Sequence, residues 1–316
     1  MIHLSADDVR RLLPMTEAIE TVEQTMIAVS QGKANLPLRS LMDIDGTNKL
    51  GLMPGALSDP TVYGVKLLSL FPGNPARGLS SHIGVVVLFD PDTGAPIATL
   101  DADAITAIRT AAATAAATRA LARPKTRTLA IIGTGEQAET HIDALCRVRP
   151  ITDIRIAGRT PQRAAAFIEK VAPHHPRQNF IAAENAKSAV EVADIVCTVT
   201  SSPTLVLHGD WIDPGTHVNA VGASIPVLQE IDEALVLKSQ LFVDYKPSAL
   251  AQAREIMTAL ETGAMGTEHI RAEIGEVYQG QHPGRSGPDA ITLYRSLGIA
   301  AQDLACADLV LRKSRG

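Results

Sequence analysis

Residues 131–138 read IIGTGEQA, with two glycines one residue apart behind an apolar run and ahead of a helix-forming stretch. Gly133-Thr134-Gly135-Glu136-Gln137-Ala138 matches G-x-G-x-x-A in the strand-then-helix setting that makes such a loop a phosphate cradle rather than a plain tight turn. Gly133 permits the turn, Gly135 lets the backbone approach a pyrophosphate, and Ala138 allows close helix packing, while the helix start offers free N–H groups. An NAD-selective site places an acid about 20 residues further on, at the end of the second strand. Here that place reads IAGRTPQR, with no acid between Asp153 and Glu169, and Arg159 and Arg163 stand where a 2′-phosphate would lie. The pattern predicts NADP(H) in preference to NAD(H). The plain alternative makes both arginines solvated surface residues.

Three further residues could do chemistry. Arg39 in NLPLRSLM, Lys66 in YGVKLLSL and Arg109 in AITAIRTAA are cations on separate segments, two of them in otherwise apolar runs. Singly, each reads as a snorkelling or paired side chain. Together they suit a small anionic substrate. The net charge of −5, with Lys and Arg scattered singly, leaves no basic stripe for nucleic acid or an anionic membrane. The three cysteines, Cys146, Cys197 and Cys306, are far apart and odd in number, so neither a disulfide framework nor a metal site is expected.

The elements that must position these residues come in two kinds. Ser5 with Asp8 resembles a capping box, residues 14–31 read as a helix stopped by Gly32, and from about Leu36 to Leu100 the pattern is β, with DPDTG as a hairpin turn. The alanine-rich segment 104–122 is interrupted by Arg109, Arg119 and four threonines, which favours a packed helix over a membrane span. After Pro124, TLAII, DIRIA, NFIAA, DIVCTVT, THVNAV and QLFVD alternate with helices, the signature of a Rossmann-type doubly wound parallel sheet in an α/β chain. The final segment ITLYRSLGIAAQDLACADLVL reads as helical from about Ser296. With no secretory signal at the N-terminus, a cytoplasmic location is expected.

SHIGVVVLFDPDTG at 81–94, ITAIRTAAATA at 105–115, IIGTGEQA at 131–138, HVNAVGAS at 217–224 and SLGIAAQD at 296–303 resemble the ornithine cyclodeaminase and μ-crystallin family over nearly the whole chain. The resemblance implies a discontinuous α+β substrate-binding and dimerisation domain, residues 1–121 with 291–316, around a Rossmann domain, residues 122–290, and a homodimer. It assigns Arg39, Lys66 and Arg109 to the substrate carboxylate and its neighbouring atoms. Thr110, the glycine loop, Arg159, Thr160, Thr198, Thr200, Val221, Gly222, Ser296, Leu297 and Gly298 would line the cofactor, with Ser81 and His82 near the nicotinamide.

Members of the family differ in chemistry. Where cyclodeaminases carry a Gly-Gly-Asp-Cys-Pro-Gly-Lys run with a catalytic acid, this chain has Gly222-Ala223-Ser224-Ile225-Pro226-Val227-Leu228. A serine hydroxyl is a poor base at neutral pH, so the expectation is reduction of a cyclic ketimine carboxylate: Δ1-pyrroline-2-carboxylate to L-proline, or the six-membered homologue to L-pipecolate. Arg39 and Arg109 would clamp the carboxylate in bidentate fashion, Lys66 would meet the imine nitrogen, Ser224 would orient substrate or water, and His82 is a further candidate. The alternatives are an ornithine cyclodeaminase, an alanine dehydrogenase-like amino-acid dehydrogenase, and a non-catalytic NADP-binding protein.

Overall fold

A computed structural model describes residues 1–316, the side chain of Pro75 excepted. The chain divides into two compact units, Met1–Ala112 with Gly298–Gly316, and Ala113–Leu297.

The first unit contains β1 (Ile2–Leu4), α1 (Ala6–Leu12), α2 (Met15–Ser30), β2 (Ala34–Asn35), β3 (Ser40–Asp43), β4 (Lys49–Ser58), β5 (Thr61–Leu70), β6 (His82–Phe89), β7 (Pro96–Asp101) and the first half of α3 (Ala102–Leu121). The Ser5 capping box opens α1, with the Asp8 amide donating to Ser5 Oγ at 3.3 Å and the Ser5 amide to the Asp8 carboxylate at 3.1 Å. Gly32 follows α2 in the left-handed region, φ 73°. The sheet order is β1-β7-β6-β5-β4-β2, with β3 also on β4. Every pair is antiparallel except β1 with β7. DPDTG closes the β6–β7 hairpin, with Asp90 accepting from the amides of Asp92 and Thr93.

Alternation along β5 puts Val62, Gly64 and Lys66 on its buried face. The C-terminal helix, Ala300–Ser314, packs there: an added Cβ on Gly64 would meet Leu304, and one on Gly55 would meet both Ala300 and Leu304.

The second unit adds β8 (Thr128–Ile132), α4 (Glu136–Val148), β9 (Asp153–Ala157), α5 (Pro161–Val171), β10 (Asn179–Ala182), α6 (Ala186–Val190), β11 (Ile195–Thr198), β12 (His217–Ala220), α7 (Glu233–Lys238), β13 (Gln240–Val243), α8 (Lys246–Gln252), α9 (Arg254–Glu261), β14 (Ile270–Glu273), α10 (Ile274–Tyr278) and β15 (Thr292–Arg295); α11 is the C-terminal helix. Its eight strands are all parallel, in the order β10-β9-β8-β11-β12-β15-β13-β14. Leu129 and Ile131 of β8 enter one apolar layer and Ala130 and Ile132 the other, as burial on both faces requires. The order reverses between β8 and β11, the switch point at which doubly wound sheets take ligands.

The expected α/β fold with a Rossmann-type sheet is what the structure has. Two details differ. ITLYR, to which the sequence reading gave no element, forms β15, a buried strand between β12 and β13, and α11 starts at Ala300 rather than near Ser296. Gly298, at φ 73°, breaks the chain between them. The units also divide at 112/113 and 297/298, not at 121/122 and 290/291, because β15 belongs to the parallel sheet and the second half of α3 is held by second-unit side chains. Arg149 is one of these, donating to the carbonyls of Thr118, Arg119 and Ala122 at the end of α3. Among the described residues no helix is long and apolar enough to cross a membrane, and no group of His, Cys, Asp and Glu could hold a metal ion.

The two loop glycines are there for different reasons. Gly133 sits at φ 133°, and a Cβ on it would lie 2.8 Å from the Val199 carbonyl oxygen. Gly135 is extended at φ −99°, with open space where its Cβ would be. Gly133→Ala should therefore destabilise the fold by about 2 kcal/mol or more, whereas Gly135→Ala should leave thermal unfolding unchanged. Melting curves of the two variants beside wild type check this, and equal losses would overturn it.

Candidate active site

The first unit gathers its cations around a carboxylate. Lys66 Nζ donates to Asp303 Oδ1 at 2.9 Å and to Thr106 Oγ1 at 3.2 Å. Arg109 Nε donates to the same Asp303 oxygen at 3.0 Å, and its Nη1 to Gln302 Oε1 at 3.0 Å. Lys66 is 2% exposed, Arg109 5% and Asp303 0%, so these charges have almost no water to share. Arg39 donates to the carbonyl of Gly298, against which the Arg109 guanidinium also lies. The three cations of the sequence therefore do converge, on Gly298–Asp303 at the head of α11.

Burial would raise the Asp303 carboxyl, but the Arg109 and Lys66 charges and their hydrogen bonds outweigh it and hold the group below its ordinary range. Lys66 is pushed down to about 8, by burial first; Asp303 opposes that fall and Arg109 adds to it. With Lys66 protonated, two cations share one carboxylate oxygen, a local excess of positive charge. Lys66 Nζ keeps one N–H beyond those given to Thr106 and Asp303. Arg109 is committed at Nε and at one N–H of Nη1, which leaves the second Nη1 N–H and the two on Nη2.

Ser81 and His82 stand together at the start of β6, with Ser81 Oγ 2.8 Å from His82 Nδ1. Burial, and then the Lys66 charge, lowers the basicity of His82. Thr110 is buried on α3, and its Oγ1 has no hydrogen-bond partner among the described residues.

The second unit offers backbone instead of side-chain charge. Gly133 donates its amide to the Ala157 carbonyl at 2.9 Å, which ties the loop to the end of β9. Thr134 lies beside Gly158, Gly135 caps α4 without a side-chain hydrogen bond, Glu136 is exposed, and Ala138 is fully buried against the sheet. Buried Gln137 Oε1 and Ser296 Oγ have no partners among the described residues. An uncapped helix start, open space at Gly135 and unsatisfied polar atoms fit a dinucleotide. Arg159 and Arg163 are exposed just beyond β9, and Thr160 caps α5 by accepting from the Arg163 amide at 3.3 Å.

Thr198, Thr200 and Gly222 all turn to one residue, Glu230, whose carboxylate accepts from both threonine hydroxyls and from the Gly222 amide. The two hydroxyl protons are thus committed inside the protein. Val221 bonds through its amide to the Thr198 carbonyl, Leu297 through its amide to Asp244, and Ser224 lies on the loop after β12. Sequence reasoning missed Asp303 and Glu230. Asp303 sits inside the quoted SLGIAAQD run, but helical periodicity reads it as a polar position; nothing around Glu230 marks it at all.

Replacing Asp303 by Asn removes the group that holds the Lys66 proton. The Lys66 titration should then move down from about 8 by roughly one pH unit or more, and thermal stability should fall because two cations stay buried without a counter-charge. NMR titration of labelled lysine follows the Lys66 Cε signal, and an unmoved or raised midpoint would contradict the arrangement.

The family model for ornithine cyclodeaminase/mu-crystallin matches residues 1–316. A Δ1-pyrroline-2-carboxylate reductase of Bacillus cereus is 32% identical over 316 residues, covering 99% of this chain and 97% of that one. The structure of the Thermococcus litoralis Δ1-pyrroline-2-carboxylate reductase in complex with NADH and L-proline superposes with a TM-score of 0.95 at 36% identity, covering 100% of this chain and 98% of that chain. An archaeal alanine dehydrogenase dimer with bound NAD follows at TM-score 0.91 and 31% identity, covering 100% and 96%. With its whole length matched, the chain belongs to the ornithine cyclodeaminase/mu-crystallin family.

Proposed function

We propose that this protein reduces a cyclic ketimine carboxylate, Δ1-pyrroline-2-carboxylate to L-proline, and accepts the six-membered homologue, which gives L-pipecolate. The observation that carries the reading is the buried cluster of Lys66, Arg109 and Asp303 with Arg39 beside it, a site with surplus positive charge and spare N–H donors. The similarity to two pyrroline-2-carboxylate reductases supports it. The chain is accordingly an oxidoreductase of C=N and CH–NH bonds.

A bound reduced nicotinamide dinucleotide would supply the hydride that the imine carbon accepts. Arg39 and the remaining N–H groups of Arg109 hold the substrate carboxylate, and orientation alone removes much of the barrier by making the reaction effectively unimolecular. Lys66, charged at neutral pH with its value near 8, turns its remaining N–H to the imine nitrogen. Ser224 orients substrate or water without adding charge. His82, with Ser81 on its Nδ1 and lowered basicity, is neutral at pH 7 and serves to shape the site. A pocket that reads ring size only through apolar contact discriminates one methylene weakly, which is why both ring sizes are substrates.

Gly133, Thr134, Gly135, Glu136, Gln137 and Ala138 would hold the pyrophosphate, and Arg159, Thr160 and Arg163 the adenosine end. The Thermococcus litoralis relative is complexed with NADH. The preference proposed here for NADP(H) rests on the missing acid after β9 and the two exposed arginines in its place, with NAD(H) as the weaker alternative. The first unit carries the substrate residues and is also the proposed dimerisation unit, since β3 and its flanks expose Leu38, Leu41, Met42 and Ile44.

An alanine dehydrogenase is the second reading, favoured by the 31% identical archaeal structure. Oxidation of NADPH is followed with pyrroline-2-carboxylate, and in parallel with pyruvate plus ammonia; ammonia release from L-ornithine is measured with NAD. Steady oxidation with the cyclic imine alone is the expected outcome. Faster turnover with pyruvate and ammonia, or ammonia released from ornithine at a comparable rate, would displace the assignment.

For the cofactor, Arg159→Ala should raise the KM for NADPH about tenfold, the worth of one charge-assisted hydrogen bond, with much less effect on NADH. A wild-type enzyme that prefers NADH under matched conditions would refute the NADP(H) preference.

A further inference from the structure

The loop carrying Ser224 is gripped from two sides by buried charges. It leaves β12 and runs through Val221, Gly222 and Ala223. The Gly222 and Ala223 amides donate to Glu230 Oε2 at 2.6 and 3.2 Å. The same oxygen accepts from Thr198 Oγ1 at 2.9 Å, and Oε1 accepts from the amide and the hydroxyl of Thr200, both at 2.7 Å. One carboxylate with five donors thus ties together the loops that follow β11 and β12. No side chain fits at 222, where a Cβ would lie 2.1 Å from the Thr200 carbonyl oxygen and 2.5 Å from Glu230 Oε1.

From the other side comes Arg295, on β15. Its Nη1 donates to the Ala220 carbonyl at 3.1 Å, its Nη2 to the Ala223 carbonyl, and its Nε pairs with Glu255. An anion therefore takes the N–H groups of the loop and a cation its carbonyls. Glu230 and Arg295 are each only 2% exposed. Burying charge is costly even when it is paired, and a loop that merely joined a strand to a turn could be closed by neutral caps. What this clamp adds is a fixed backbone on both sides of Ala223, and hence a fixed starting point for Ser224.

We infer that Glu230 and Arg295 are positioning residues that set where the Ser224 hydroxyl stands, and that they act on turnover through Ser224. The kinetic part rests on the reductase reading; the structural part does not.

Two measurements test it. Hydrogen exchange is followed on the peptide spanning 221–224 in Glu230→Gln, which keeps the side-chain shape but turns an amide donor toward the loop N–H groups. Exchange there should rise about tenfold or more while the global melting temperature moves little. Turnover of pyrroline-2-carboxylate is then compared for wild type, Ser224→Ala, Glu230→Gln and the double variant. Each single substitution should lower kcat about tenfold, the KM for NADPH should change less than kcat, and the double variant should be no slower than Ser224→Ala alone. Glu230→Asp, which retains the charge, should recover part of the loss. Should Glu230→Gln fail to fold, Arg295→Lys, which keeps the charge but cannot fork to two carbonyls, takes its place in both measurements. Additive losses, a silent Ser224→Ala or unchanged exchange at 222–223 would each overturn the inference. A wild type inactive on the imine strikes the reductase reading instead, and the exchange result alone then decides the clamp.

Discussion

Asp303 is the charge on which the first unit turns. Lys66 and Arg109 could not be buried side by side without a counter-charge, because repulsion between unscreened cations adds to the cost of desolvating each. A single carboxylate oxygen takes a hydrogen bond from both, and that is enough to keep Lys66 protonated near neutral pH in spite of its burial. It does not neutralise the group. Two cations on one carboxylate leave one positive charge in excess.

The packing around Asp303 follows from this need. Alternation on β5 sends Lys66 to the face on which α11 lies, and Gly55 and Gly64 leave the room that Ala300 and Leu304 fill. The left-handed turn at Gly298 starts α11 one turn before Asp303, and only a residue without a Cβ can lie against the Arg109 guanidinium there. The charges that most need pairing are thus also those with N–H donors left over.

The second unit solves its problem with backbone. Its parallel sheet brings the ends of β8 and β11 side by side at the switch point, where Gly133 passes the Val199 carbonyl and α4 begins uncapped. Side-chain charge appears there mainly to hold loops and helix ends in place. Arg149 closes the last carbonyls of α3, and Glu230 and Arg295 close the loop after β12. The two units thus differ in what they offer, surplus cationic charge in the first and oriented amides in the second.

Much of this was legible in the sequence, and the reason is locality. A capping box, a hairpin turn, alternating strands and a glycine loop between strand and helix are patterns spanning a few residues, and their physics is complete within those residues: Ser5 with Asp8, DPDTG and IIGTGEQA all folded as their spacing demanded. The three cations could be named because lysine and arginine in apolar runs need a partner, but which partner was not written nearby. Lys66 meets an aspartate 237 residues away, and Arg109 meets it across 194. ITLYR was passed over for the same reason, since a short apolar run becomes a strand only when a sheet is waiting to receive it between two others. Glu230 had no local signature, because its five donors come from two other segments that only the sheet brings together. Sequence by itself determined the local elements and the kinds of residue that do chemistry; the tertiary structure alone decided which charges neutralise one another, because burial makes that pairing compulsory and only folding shows which groups are buried together.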